Sequence, residues 1–484
     1  MIERWSRDQV LALAPDAASR SAAQKVAAPG KWSACGTTGA VVYGECEGSG
    51  AKPYLACVDL TEPAYRCSCP SRKFPCKHAL GLLLMWAADG VPVEQGAPQW
   101  VTEWVEARAE RAAKEAAKIE AARARKAAEA SSGEADGGAH DGGAHDAGAH
   151  DAGRAEVSSG EDGDGASGVG RAGGSSRSGA ESVRHGRVAA GLSELERWLD
   201  DQVRQGLAGA AEHEWEGLAK RLVDAQAPGV AGVVSRLVRV RADDDWPGRL
   251  LEEYALIHLL AVAYRRRAEL PGALAETVLS RVGFPVAKEE VLAGAAVRDQ
   301  WDVLGRRDEE QDRLISRRVW LRGRRSGRAA LVLSFAPQGQ PLDASLVTGT
   351  TIEADLTYYP GAAPLRALVA TRHDLGADDA VRYGSGAGGA VAGAPPGVSP
   401  EQALDEVAGV LGEDPWTESW PLVLAGVVPG RDSIGGLPLH RAARDPWRLI
   451  AVSGGRPVTV AVEWTPRGLR PLTTWDDEGT AVIL

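Results

Sequence analysis

Alternation of apolar and polar positions marks strands at 40–46 and 53–60, and Gly48-Ser49-Gly50 between them marks the turn of a β-hairpin. An apolar run then predicts a helix at 78–88, whose Leu80, Leu83 and Leu84, with Trp86, form a stripe to lie on that hairpin. From Thr102 to Ala130, charges of both signs scattered among strong helix formers predict a solvated helical extension. Residues 131–189 contain no aromatic side chain, 16 Gly, and ten acidic groups against five Arg, the composition of a disordered linker. A flexible chain of that length has an r.m.s. span of about 40–45 Å, so the parts on either side are expected to be loosely coupled. Beyond it, Ser193 and Glu196 read as a capping box ahead of the apolar face Leu195, Trp198, Leu199 and Val203. Further helical periods fall at 214–226, 229–241, 250–269, 272–282 and 288–304. The period changes to two near 314, giving strands at 314–321, 329–335, 352–358 and 365–371. Ser399, Pro400 and Gln402 open one more helix, and strands at 421–428, 447–452, 457–464 and 469–474 follow.

The expected fold class is therefore α+β. An N-terminal domain covers 1–100, with its core at 53–88; a charged helix covers 101–130 and the linker 131–189. A larger C-terminal body is helical over 190–310 and β-rich over 311–484.

Composition narrows the function. With 484 residues and 44% hydrophobic content, the chain can bury more than one core. A net charge of −11 excludes a molecule that coats nucleic acid over its whole surface, so any such contact must be local. The opening residues lack the apolar core of a signal peptide, and no apolar run reaches the length of a membrane span. Abundant Ala, Gly and Arg, with 3 Phe and 2 Met, point to a high-GC bacterial source and a cytoplasmic location.

The run Arg66-Cys-Ser-Cys-Pro-Ser-Arg-Lys-Phe-Pro-Cys-Lys-His78 concentrates four metal-binding groups, although the chain has only 6 Cys and 9 His. Zinc in a closed structural site takes four such donors in a tetrahedron, and Cys3His is a standard set. Cys67 and Cys69, two apart on an extended segment, point to one side; Pro75 and the apolar run after it put Cys76 and His78 at a loop-to-helix entry. Three thiolates and Zn²⁺ sum to one negative charge, which Arg66, Arg72, Lys73 and Lys77 surround. The segment resembles the SWIM zinc finger family, whose pattern is Cys-x-Cys, a variable gap, then Cys-x-His; all four positions match, over roughly residues 35–90. The resemblance implies a small ββα unit holding one structural zinc on Cys67, Cys69, Cys76 and His78, and a role in DNA or protein contacts.

Cys35, Cys46 and Cys57 read as small buried residues, with Cys46 and Cys57 facing each other across the hairpin. Partner contacts are assigned to Arg66, Arg72, Lys73, Phe74 and Lys77. On DNA the cations would meet phosphates while Tyr65 or Phe74 stacks on an exposed base. The acidic total charge favours a protein partner over DNA.

Enzyme signatures are weak. Gly168–Gly173 and Gly384–Gly389 match Gly-x-Gly-x-x-Gly without the strand and helix that a dinucleotide site needs. His140, His145 and His150 recur every five residues in the linker as a weak metal tract, and Ser433 with His440 is a poor hydrolase pair. Asp243 to Asp245, and Glu309, Glu310 and Asp312 among Arg306, Arg307, Arg313, Arg317 and Arg318, read as surface ion pairs. The basic stretch from Arg317 to Arg328 resembles a surface for nucleic acid or an acidic partner. The leading expectation is a zinc-stabilised, non-enzymatic interaction protein. The alternative is an enzyme or catalytic-accessory body at 190–484 with the finger as its targeting module.

Overall fold

Ser6 Oγ accepts from the Gln9 amide while Gln9 Oε1 accepts from the Ser6 amide, and this capping box starts α1 (Arg7–Ala12). Asp16 caps α2 (Ala17–Val26) through the Ser19 amide. A four-stranded antiparallel meander follows: β1 (Trp32–Thr37), β2 (Val41–Cys46), β3 (Tyr54–Asp59) and β4 (Ala64–Cys67). Two helices complete the region, α3 (Lys77–Ala87) and α4 (Gln99–Glu134). The computed structural model describes residues 4–48, 52–71, 73–134, 173–209, 212–311, 314–338, 340, 342–373, 393–443 and 446–484. Residues 1–122, 272–277 and 286–484 form one compact unit, and 123–271 with 278–285 form a second.

The meander buries both faces. Val42, Cys46, Ala56 and Val58 join Leu80, Leu82, Leu83 and Trp86 of α3 in one core, while Val41, Tyr43 and Cys57 meet Trp100, Val101 and Trp104 of α4 on the other side. The expected stripe on α3 is thus wider than predicted: every residue from His78 to Trp86 is buried, because α1 and α2 also pack against the helix. Each fully buried Leu there contributes about 1.5–3 kcal/mol of transfer free energy. Helix α4 packs through Val101, Trp104 and Val105, while most of its described residues from Thr102 onward are exposed, as the charge pattern predicts. Cys46 and Cys57 do not face each other; Cys46 pairs with Tyr54 and Cys57 with Tyr43, on opposite faces of the sheet.

The second unit contains α5 (Gly173–Gln205), α6 (Glu212–Asp224), α7 (Pro228–Val240), α8 (Trp246–Arg265) and the end of α9 (Gly272–Val282). Helix α5 starts within the expected linker, and the rest of that linker, with His140, His145 and His150, lies outside the described residues. Ser193 is not an N-cap: it sits inside α5 and its hydroxyl donates to the Ala189 carbonyl one turn back. Leu192, Leu195 and Leu199 of α5, Trp215 and Leu218 of α6, Val234 and Leu237 of α7, and Tyr254 and Ile257 of α8 are all buried. Trp215 Nε1 donates to the Tyr254 hydroxyl at 3.1 Å, which satisfies both groups inside the bundle. Gly229 lets α7 start against the end of α9, since a Cβ there would stand 2.1 Å from the Arg281 carbonyl oxygen.

The chain then returns to the first unit through α10 (Lys288–Leu292) and β5 (Ala296–Gln311). The helix expected over 288–304 therefore stops at Leu292, and the β-rich part begins at Ala296 rather than near 311. Val297, Trp301 and Leu304 imitate a helical spacing, but β5 pairs with one neighbour along its first half and another along its second. With β6 (Leu314–Gly323), β7 (Ala329–Pro337), β8 (Thr351–Tyr358) and β9 (Arg366–His373) it forms a closed five-stranded Greek-key barrel. Its order is β5-β6-β7-β9-β8, with β7 and β9 parallel. Trp301, Val303, Val319, Leu321, Ala354 and Leu356 fill it. A bulge at Val303/Gly305 bends β5, and Gly305 admits Leu472 where a Cβ would stand 2.6 Å away.

After α11 (Pro400–Glu413), started by the expected Ser399/Gln402 capping box, come β10 (Trp420–Val427), the short ribbon β11 (Ser433–Ile434) and β12 (Leu437–Pro438), and α12 (Pro446–Ser453). Residues 447–452 were expected as a strand and are helical. β13 (Val458–Thr465), β14 (Gly468–Trp475) and β15 (Ala481–Ile483) complete a sheet of order β10-β13-β14-β15. One face of it takes α11; the other, through Val423, Ala461 and Leu472, packs on Leu304, Trp320 and Leu331 of the barrel.

The finger region is built into this unit rather than tethered to it. Gln9 Nε2 donates to the Thr348 carbonyl at 3.2 Å, Arg448 pairs with Asp8 at 2.6 Å, Arg306 donates to the Ala12 carbonyl, and Val347 belongs to the finger's own core. Among the charges expected on the surface, Asp244, Asp245 and Glu310 are exposed, Asp312 and Arg313 lie outside the described residues, and Arg317 is drawn inside. Arg317 is 4% exposed and makes a bidentate pair with Asp308 at 2.8 and 2.7 Å; Arg322 pairs with Glu406, and Arg324 with Asp302. Within the basic stretch from Arg317 to Arg328, these carboxylates hold Arg317, Arg322 and Arg324, while Arg325 and Arg328 are exposed.

Candidate metal centre

Strand β4 delivers Cys67 as its last residue, and the strand end is pinned on both sides of Ser68. Ser68 N–H donates to the Leu55 carbonyl at 3.0 Å, and Leu55 N–H donates to Ser68 Oγ at 2.9 Å. Two residues later Cys69 still points toward the same point. Cys76 is the N-cap of α3 in extended conformation, and His78 lies in the first turn, as the loop-to-helix reading requires. The donor atoms of Cys67, Cys69, Cys76 and His78 all lie within 4.8 Å of one another, and Cys67 Sγ stands 3.7 Å from His78 Nδ1. A tetrahedron with Zn–S near 2.3 Å and Zn–N near 2.0 Å needs edges of about 3.4–3.8 Å, so the cluster fits one structural zinc.

Burial and charge suit that ion. Cys76 and His78 are buried, Cys67 and Cys69 half-buried. The Tyr54 ring stacks on the His78 imidazole at 4.8 Å and 28°, which fixes its plane. Among the protein groups themselves, a hydrogen bond from Cys67, helped by His78 and the Ala79 amide, holds the Cys76 thiol down to about 4. The same shared proton pushes Cys67 strongly up, and burial raises Cys69. A zinc ion held by Cys67, Cys69, Cys76 and His78 would take the place of that proton, with all three sulfurs as thiolates. The remaining cysteines are unlike these: Cys35 and Cys46 are raised by burial, Cys57 is pushed up to about 12, and none belongs to the cluster.

The expected contact residues do not form one surface. Lys73 and Lys77 are exposed and, with Lys31, Glu47 and Tyr54, line a cleft of about 710 Å³ that reaches Cys69 and His78. Lys73 Nζ lies 2.6 Å from Asp16, which holds the Asp16 carboxyl down to about 2. Arg66 is turned to α4 and donates to the Trp100 carbonyl at 3.2 Å. Phe74 is half-buried and lines a different cavity, and Arg72 lies outside the described residues. The Tyr65 hydroxyl is buried, so that ring does not offer itself to a nucleobase. Lys31 and Tyr54 escaped the sequence reading because they precede the ligand run by 36 and 13 residues, and only the meander register brings them to it.

Outside the metal centre, Ser433 pairs with Pro438 in the β11–β12 ribbon, and His440 is held by the Ala442 amide and Arg470, each at 2.9 Å. Among the described residues no helix is long and apolar enough to cross a membrane. Residues 57–87 match the model of the SWIM zinc finger, and residues 183–282 match that of the SWIM-associated four-helix bundle domain. No curated protein and no solved structure matches the chain.

Proposed function

We propose that this chain, which carries a SWIM zinc finger and the bundle that accompanies it, is a non-enzymatic interaction protein. Its lysine-lined cleft beside the zinc would take an acidic protein segment. The supporting observation is the cleft itself: three lysines converge over a rigid, metal-pinned floor in a molecule whose net charge is −11. Protein is favoured over DNA on charge and number. Lys73 is already paired with Asp16 and Glu47 stands on the rim, which leaves Lys31 and Lys77 as the main cations. Two cations neutralise about two phosphates, far fewer than the 6–10 contacts of a typical DNA site, and the acidic remainder of the molecule repels a polyanion.

Zinc is the scaffold of this surface and not a reagent. A Cys3His shell uses all four tetrahedral positions, so no position is open for water or substrate.

The test is a direct comparison at low salt of a labelled glutamate-rich peptide and a labelled DNA oligonucleotide of equal charge, each titrated with the full chain. The expected result is peptide binding that falls when Lys31→Glu and Lys77→Glu are introduced together. DNA binding tighter than peptide binding would overturn the choice of partner. Undiminished peptide binding by the double variant would overturn the choice of surface.

A further inference from the structure

A second cavity, of about 520 Å³, lies beside the zinc loop within the first unit and is lined by residues of the finger, α4, β9 and the segment before β8. Its size is that of a small-molecule site. Its walls combine Phe74 and Val369 with Arg108 and Arg372, and with the acidic Glu62 and Asp343.

Arg372 is the unusual member. Its Nη2 donates to the Ser345 carbonyl at 3.0 Å and the Ser345 hydroxyl at 2.9 Å, and both acceptors are neutral. Arg317, Arg322 and Arg324 each meet a carboxylate within 2.8 Å, whereas Arg372 has no carboxylate within ion-pair distance among the described residues. The acidic groups near the cavity are already engaged. Arg108 faces Asp59 and Glu62, and Asp343 Oδ1 accepts from the Ser345 amide. Burial disfavours the charged form of Arg372 and holds it below the ordinary guanidinium value, against the opposing attraction of Asp343 and Glu62. A second polar group on the same wall lacks a partner, since the buried Tyr65 hydroxyl makes no hydrogen bond. Asp343 and Glu62 attract the Arg372 guanidinium from beyond ion-pair distance, and a buried guanidinium with no carboxylate in direct contact is stabilised further when an anion reaches it.

We propose that this cavity binds a small organic oxyanion, whose carboxylate or phosphate group pairs with Arg372 while an apolar or aromatic body lies between Phe74 and Val369. This site is separate from the lysine cleft and does not depend on the partner proposed for it. Phe74 sits between the zinc ligands Cys69 and Cys76, so the apolar wall exists only while the zinc loop is ordered.

The experiment is calorimetric titration of the zinc-loaded full chain with benzoate and with phenyl phosphate, using benzyl alcohol as the uncharged control and inorganic phosphate as the bodiless one. Saturable 1:1 binding of at least one aromatic anion, with weak or no binding of both controls, is expected. Arg372→Met should weaken it about tenfold to hundredfold, the loss of one charged hydrogen-bonding group. Arg372→Lys should restore part of it. Ala370→Phe, which fills the cavity and keeps the arginine, should abolish binding even if Arg372→Met fails to fold. Lys31→Glu should leave binding unchanged. No binding of either aromatic anion, or equal binding by the Ala370→Phe variant, would overturn the proposal. Inorganic phosphate binding as tightly as phenyl phosphate would overturn the assignment of the apolar wall.

Discussion

Replacing Cys76 with Ser removes one of the four zinc donors at the point where the metal loop enters α3. The sulfur is almost fully buried, and the helix it caps is buried from His78 to Trp86. A structural zinc site is worth about 10–16 kcal/mol, and equal division among four donors assigns about 2.5–4 kcal/mol to each. The loss is then about 60–700-fold in zinc affinity, at 1.4 kcal/mol per decade. Competition against a chromogenic chelator at neutral pH measures it directly. The control is Cys57→Ser, which is equally buried but lies on the other face of the sheet, outside the cluster. That variant should lose about 1–3 kcal/mol of stability for a buried hydroxyl without a partner, yet keep its zinc. If Cys76→Ser holds zinc as tightly as the parent chain, or if Cys57→Ser releases it, the assignment of the four ligands is wrong.

Glu463 is 1% exposed and contacts Arg307 at 2.5 Å and Arg470 at 3.5 Å, a charge contact between β13 and β5 without an aligned hydrogen bond to Arg307. Glu463→Gln removes the counter-charge of two half-buried guanidinium groups and should cost about 1–3 kcal/mol in urea denaturation; no measurable cost would show that the pair is solvated. Asp16 titrates near 2 because Lys73 holds its charged form, so the pair contributes stability above the ordinary value of 3.8 that is lost as pH falls through about 2. Lys73→Ala should move the Asp16 carboxyl titration, followed by NMR, upward toward 3.8, and an unmoved titration would contradict the contact. Gly229→Ala should destabilise the helical unit by about 1–3 kcal/mol or more, because its Cβ meets backbone at 2.1 Å; a neutral thermal shift would mean that α7 and α9 can separate there.

The metal ligands were legible in the sequence because the information is local: donor type, spacing and a loop-to-helix entry all fall within twelve residues. Strands β2, β3, β6, β7 and β8 were legible through alternation, and α11 through Ser399 and Gln402. The failures share a physical origin in long-range context. Val297, Trp301 and Leu304 satisfy a helical period and become strand because β8 and β6 are there to pair with them. Residues 447–452 form a short apolar run that fits either period, and Leu449 buries from a helix. Arg317 looks like a surface cation until Asp308 is brought opposite it by the β5–β6 register. The lysine cleft and the Arg372 cavity each draw on distant segments, so neither leaves a contiguous sequence signal.

Gln9 and Thr348 stand 339 residues apart, yet their hydrogen bond and the neighbouring Val347 complete the hydrophobic interior of the finger. At ribosomal rates of about 5–20 residues per second, the finger, complete at residue 87, waits about 13–52 s before that partner surface exists. During this interval the finger has every buried residue of its core but Val347, and its four donors, complete by residue 78, can close a zinc crosslink that needs nothing from the later segment.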